Sequence, residues 1–443
     1  MTRDKGSART VKRDHNEKLE TVANSVRASN ESALTFGTVC LLTFCFVTLS
    51  HKLPLAEVGA AGAILVALAR YRLLVVPKFY RWYLLYIGIG VIGLSNSLRP
   101  SIVAEELVTT LKFTAVGFAA LNILITRRQC RLFVLCYLLM FALYPIRGAI
   151  YNYLHGITQF GRISWNFTFR NPNDLGITCF LPLGLCTYLL FTDKGLTRMM
   201  AGIGACVLMS VLMLTQSRGA MLGLAGGILY FAMQSGKPIR MLVQIGAIGL
   251  LAVFATPNGV WNRLAGLSNA SVTDMSKVDP EGSASGRWQV MQIAFHIAEE
   301  HPFLGVGLGT YSLAHADYAA ATEVRRADVR VPRDAHCMYV RAAAETGFGG
   351  AMCIILFVSG CLLYCRRSRK QLLIEGGPLS PALAILALEA SMVAFAIAAV
   401  FNSTERSTFF MWQMVVPWSL ATVLVRTART RPSLNAGGNA LRM

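Results

Sequence analysis

The chain predicts an all-α integral membrane protein of about twelve transmembrane helices with one large outer loop containing short helices. Three observations carry that expectation. Hydrophobic residues make up 54% of the 443 residues, charged residues only 15%, and the mean hydropathy is +0.50, whereas soluble domains run near ~25% charged. Apolar runs follow one another almost without a break, each close to the ~20 residues that a helix needs to cross the hydrocarbon core while satisfying its own backbone. Lys and Arg collect in alternate short loops, as they do on the cytoplasmic side of membrane proteins.

Taken in order, residues 1–32 form a hydrophilic cytoplasmic segment, too long and too mixed in charge for a cleaved signal peptide, so the first span is expected to be an uncleaved anchor. Spans are expected at residues 33–50, 54–71, 80–98, 102–125 and 131–150. After a smaller outer loop at 151–174 come spans at 175–192, 198–215, 219–234 and 241–256, so that 33–256 holds nine. The large outer loop occupies 257–335, three more spans fill 336–425 (336–364, 380–401 and 408–425), and 426–443 is a cytoplasmic tail. With both termini cytoplasmic, the inner side holds Arg127, Arg128 and Arg131 and also Arg366, Arg367, Arg369 and Lys370, and it accounts for the whole net charge of +19. Topology and anionic headgroups explain that charge, and no nucleic-acid partner is required. Of the 11 cysteines none lies inside the large loop and Cys337 stands alone beside it, so no external disulfide framework is expected.

A protein that buries most of its chain and keeps one sizeable loop outside is expected to work at that loop. Within it, residues 287–300 read as an amphipathic helix with Trp288, Met291, Phe295 and Ala298 on one face and Gln289, Gln292, His296 and Glu299 on the other. The following 301–310 is rich in turns, with Gly305, Gly307 and Gly309. Arg218 stands at an outer membrane edge with almost no loop around it, Arg287 opens the amphipathic stretch, and Arg147, Arg162 and Arg170 flank the smaller loop. Guanidinium forks match phosphate oxygens, and several converging on a low-dielectric cleft suit a diphosphate held without metal; one such arginine alone more often snorkels to headgroups or makes a surface pair. Arg325, Arg326, Arg330 and Arg333 alternate with Glu323, Asp328 and Asp334 and read as a solvated face. His336 heads the tenth span at the outer edge, where a neutral imidazole can take a proton from a hydroxyl. On an ideal helix His336, Ala343, Gly347 and Gly350 share a flat face, while Arg341 and Glu345, four apart, read as an ion pair. No metal-ligand spacing accompanies the histidine. Glu389 in mid-span, and Lys112 seven residues after Glu105, keep a transport reading alive.

Ser217-Arg218-Gly219, Ser285-Gly286-Arg287, the Pro302…Gly305-x-Gly307-x-Gly309 turn and His336…Glu345-x-Gly347-x-x-Gly350, in this order and topology, resemble the bacterial O-antigen ligase family. In motif terms the resemblance covers residues 160–350. It implies a GT-C-like glycosyltransferase architecture in the bacterial inner membrane, with the large loop and the active site periplasmic. The donor implied is a polysaccharide on undecaprenyl diphosphate and the acceptor a sugar hydroxyl of the lipid A core, joined with inversion, without metal or other cofactor. Carried onto this chain, His336 is the general base, Arg218 and Arg287 hold the diphosphate, and Arg147 and Arg162 stand next in line. Arg341, Glu345, Gly347 and Gly350 are supporting positions. Cys337 departs from the small polar residue that the resemblance leads one to expect after the histidine. The same superfamily contains O-antigen polymerases and protein O-oligosaccharyltransferases, and a transporter or flippase is the alternative from another class.

Overall fold

The computed structural model describes residues 31–70, 73–97, 99–236, 283–321 and 332–429. The helices there are α1 (Glu31–Ser50), α2 (Ala56–Ala69), α3 (Tyr80–Gly93), α4 (Pro100–Ile123) and α5 (Arg127–Leu154), then α6 (Pro172–Thr192), α7 (Gly195–Leu214) and α8 (Arg218–Gln234). After the undescribed 237–282 come α9 (Ser283–Glu300), α10 (Tyr311–Ala321), α11 (Met338–Ile374), α12 (Leu379–Ala398) and α13 (Thr408–Arg429). There is no sheet among the described residues, only an isolated bridge between Gln159 and Arg162.

Seven of these helices, α1, α5, α6, α7, α11, α12 and α13, are long and apolar enough to cross a membrane. This is an all-α, multi-pass membrane fold, and it corrects the expectation of about twelve spans. The reason is length and polarity. The 14 residues of α2 and of α3 reach only ~21 Å at 1.5 Å per residue, short of the ~30 Å hydrocarbon core. The 17 residues of α8 fall short by less, and α4 is long but carries Glu105, Glu106 and Lys112. The span expected at 241–256 lies outside the described residues. Nor is a separate large outer loop of short helices delineated. Of 257–335, α9 and α10 lie on the bundle, with Val290, Ala294 and Ile297 of α9 buried in one cluster with Tyr311, Ala319, Ala335 and Ala344. That cluster also corrects the amphipathic reading, because Trp288 and Phe295 are exposed. α9 has two apolar stripes, and helical period alone does not say which one faces protein.

The centre of the bundle is α13, whose residues Thr408 to Leu420 are all buried. Aromatic rings fill the space around it: Phe357 lies 5.0 Å from Tyr83 and 5.5 Å from Phe410, centroid to centroid. Lipid offers no hydrophobic drive between helices, so close backbone approach supplies the contact energy. Between α8 and α12 that approach is made at Gly223, where a Cβ would stand 2.4 Å from the Ala394 carbonyl oxygen. Farther along, Arg369 of α11 donates to both oxygens of Glu389 on α12, at 2.8 and 3.0 Å, and to Gln234 of α8, at 3.1 Å, while Tyr230 donates to Glu389 at 2.8 Å. The mid-span carboxylate that favoured transport is therefore enclosed in a satisfied structural network. Lys112 stands 3.8 Å from Glu57 rather than beside Glu105, with both side chains exposed.

α11 is not one straight helix. Thr346 (φ −134°) and Gly347 (φ 69°, ψ 175°) leave helical geometry, so His336, Ala343, Gly347 and Gly350 form no continuous flat face. The break is filled by the glycine turn. Val306 and Gly307 donate their N–H groups to the Ala344 and Glu345 carbonyls, at 2.9 and 3.0 Å, and Phe348 donates to the Pro302 carbonyl at 2.9 Å. These bonds use the backbone groups that a broken helix exposes, each costly if left unmade in a membrane. A Cβ at position 347 would stand 2.5 Å from the Pro302 and Phe303 carbonyl oxygens on a backbone of positive φ. Gly347→Ala is expected to cost about 2 kcal/mol or more, read as a lowered unfolding temperature of the detergent-purified protein.

Candidate functional site

Three corners meet at one end of the bundle. The first joins α7 to α8. Gln216 takes a left-handed backbone (φ 50°), and Ser217 caps α8 by accepting from the Ala220 N–H at 3.4 Å, which makes Arg218 the first residue of the helix, half-buried. Residues of the 159–169 segment fasten this corner: Ile163 N–H donates to the Leu214 carbonyl at 3.1 Å and Gln216 Nε2 to the Gly161 carbonyl at 3.3 Å. Arg162 adds Nε to the Thr215 carbonyl and a terminal nitrogen to Asn173 Oδ1, each at 2.7 Å. Arg162 thus braces the corner with nitrogens that a diphosphate would otherwise use. Arg147 and Arg170 are exposed, and among the described residues neither has a hydrogen bond or ion pair to this corner.

The second corner is the start of α6. Asn171 caps it by accepting from the Asn173 N–H at 3.0 Å, and Gly176 brings it against the first corner, where a Cβ would meet Ala220 Cβ at 2.9 Å. Asp174 accepts from Asn402 Nδ2 at 2.8 Å, which draws in the six-residue link between the 3₁₀ turn ending at Phe401 and α13.

The third corner carries His336. Its backbone is left-handed (φ 52°), a conformation that histidine tolerates better than most residues, and it turns the chain from the extended 332–335 into the first half of α11. The imidazole Nδ1 faces Asp334 Oδ2 at 3.8 Å. Burial holds the ring's pKa below its ordinary value; Asp334 pulls it up, and the charges of Arg287, Arg333 and Arg341 push it down. At neutral pH the ring is therefore uncharged and able to accept a proton. Arg287, half-buried at the start of α9, lies close enough for its charge to act on both His336 and Asp174. Gly176 packs the corner that carries Arg218 against the start of α6, and the charges of Arg287 and Asp334 reach Asp174 in that same turn.

Behind the histidine runs a chain of alternating charge that sequence reasoning missed. Arg341 contacts Asp334 at 3.1 Å, Glu345 at 3.2 Å and Glu405 at 3.4 Å. Arg406 contacts Glu345 at 3.3 Å, Glu106 of α4 at 3.4 Å and Glu405 at 3.6 Å. Glu345 and Glu405 are fully buried. Burial, with the Glu345 charge adding to it against the pull of Arg341, pushes the Glu405 carboxyl above the usual carboxylate range. Asp334 belongs to this chain rather than to a solvated face; Arg325, Arg326 and Arg330, read with it, lie outside the described residues. The signal available in the sequence was Glu405-Arg406 itself, two adjacent charges in a short link between apolar runs. Among the described residues, no group of three or more His, Cys, Asp or Glu side chains is arranged to hold a metal ion.

Arg218, Arg287, His336, Arg341 and Glu345 all fall within residues 203–355, which match the family model described as O-antigen ligase. No curated protein matches the chain. Over residues 203–355 the chain is thus similar to the O-antigen ligase/polymerase superfamily.

Proposed function

We propose that the protein is an O-antigen ligase of lipopolysaccharide biosynthesis. In this reading it transfers polysaccharide from undecaprenyl diphosphate to a sugar hydroxyl of the lipid A core, with inversion and without metal. It works on the periplasmic face of the inner membrane. The observation that carries the reading is the left-handed corner at His336, whose ring faces Asp334 at 3.8 Å within reach of the Arg287 charge, inside the segment that matches the O-antigen ligase family.

The acceptor hydroxyl gives its proton to His336, its oxygen attacks the donor's anomeric carbon, and the bond from that carbon to the diphosphate oxygen breaks with the electron pair leaving on the diphosphate. Arg218 and Arg287 hold that group and stabilise its growing charge, the term that usually contributes most in such chemistry. Arg218 adds the positive end of α8. Arg162 acts indirectly, by fixing the Thr215–Arg218 corner. Apart from Arg218, Arg287 and His336, which do not line it, a cavity of about 490 Å³ beside the glycine turn carries on its rim Asn96, Arg99, Glu300, His301, Asp317 and Tyr318. Those groups pair readily with sugar hydroxyls, over an apolar floor.

The test is an acceptor series. Purified protein in detergent receives lipid-linked polysaccharide and, in separate reactions with a chelator, lipid A core, a second lipid-linked chain or an acceptor peptide. Transfer to lipid A core alone is the expected result. Transfer to the second chain makes the protein a polymerase, transfer to peptide a protein O-oligosaccharyltransferase, and loss of activity in chelator overturns the metal-free mechanism.

A further inference from the structure

His336 Nδ1 and Asp334 Oδ2 are 3.8 Å apart, one step short of a hydrogen bond, and contacts of this kind tighten when substrate closes a site. Asp334 is not free to wander from that position. Its other oxygen is 3.1 Å from Arg341, which Glu345 and Glu405 hold from behind at 3.2 and 3.4 Å. The anchor is rigid because Glu345 is tied into the helix break and Glu405 into the link before α13, where its backbone carbonyl accepts from buried Tyr83 at 2.8 Å. So many ionised groups in a membrane protein carry a heavy desolvation cost, and removing one partner leaves another charge stranded.

We propose that Asp334 is a positioning residue for His336, fixing the proton of the neutral ring on Nδ1 and leaving Nε2 to accept the substrate's proton, and that Arg341, clamped by Glu345 and Glu405, holds Asp334 in register. The inference rests on His336 being the base in the proposed transfer. A carboxylate beside Nδ1 both selects the tautomer and favours the imidazolium that forms when the hydroxyl is deprotonated. The groups that face the ring are Asp334 and Arg333 on its own segment, Arg341 from α11 and Arg287 from α9. Only Asp334 among them favours the protonated ring.

Two measurements test this on the full-length protein in detergent. The first is the pH profile of transfer for wild type, Asp334→Asn and Asp334→Glu. The asparagine variant is expected to lose on the order of 10–100-fold in kcat, the range seen when a group that orients a histidine is removed, with donor KM unchanged and the acidic limb moved to lower pH. Asp334→Glu recovers part of the rate and keeps the limb in place. The second needs no turnover: the pH dependence of His336 modification by diethyl pyrocarbonate, which reacts with the neutral ring, read by peptide mass spectrometry. Its midpoint is expected to fall in Asp334→Asn and to stay put in Asp334→Glu. An unchanged midpoint in a folded Asp334→Asn protein overturns the proposal, and should that variant not fold, a glutamate variant that shifts the midpoint as far as a third variant, Asp334→Ser, overturns it too. A shifted midpoint in a protein that transfers no glycan in any acceptor reaction would leave the His336–Asp334 pairing standing and remove the ligase reading.

Discussion

Replacing His336 by asparagine is expected to lower transfer to lipid A core by ~10²–10⁴-fold, the contribution of a positioned general base. Asparagine is the sharper test than alanine, because it accepts the left-handed backbone at φ 52° that a non-glycine residue otherwise adopts at a cost of about 1 kcal/mol. The unfolding temperature is expected to stay near that of wild type, and donor binding, read separately with the lipid-linked polysaccharide, to persist. The sign of the pH dependence follows from burial. The wild-type ring titrates below its ordinary 6.5, so it is neutral and active through neutral pH, and the rate falls as pH drops through that lowered value. A variant that keeps wild-type rates would remove His336 from the chemistry.

The largest stability effect is expected far from that end of the bundle. Glu389→Ala removes the charged partner of Arg369, whose side chain is 5% exposed, and leaves a guanidinium among α8, α11 and α12 with the uncharged Gln234 and Tyr230 beside it. Breaking a buried pair this way costs about 3–5 kcal/mol, enough to show as a marked drop in unfolding temperature or in the yield of folded protein. The double replacement Arg369→Met with Glu389→Leu is expected to recover much of the loss, because it removes both desolvated charges together. If the single variant were as stable as wild type while glycan transfer or movement of a substrate changed, the pair would be functional and the transport reading would return.

These two sites show where the sequence is legible. Composition and the spacing of apolar runs determine that the chain is an all-α membrane protein, because only a helix satisfies its own backbone in lipid over such lengths. Arg341 and Glu345 stand four apart on any helix, and their contact at 3.2 Å needs no further information. Residue types at a membrane edge, together with the resemblance they carry, also bring Arg218, Arg287 and His336 forward as candidates.

What the sequence leaves open is what long-range contact decides. Helix count depends on where a helix stops, and α2 and α3 stop at 14 residues, short of the spans expected at 54–71 and 80–98. Which stripe of α9 is buried depends on α11 and α10, and the packed stripe is Val290, Ala294 and Ile297 rather than the one holding Trp288 and Phe295. Gly305, Gly307 and Gly347 mark a turn and a helix start in the sequence, but only the fold brings the turn into the break of α11. The charged chain from Asp334 to Glu106 joins residues from α4, α11, the 332–337 segment and the link before α13. Its members are separated along the chain by up to hundreds of residues, so no local pattern assembles them; the low dielectric of the bundle does, by making an unpaired charge too costly to bury.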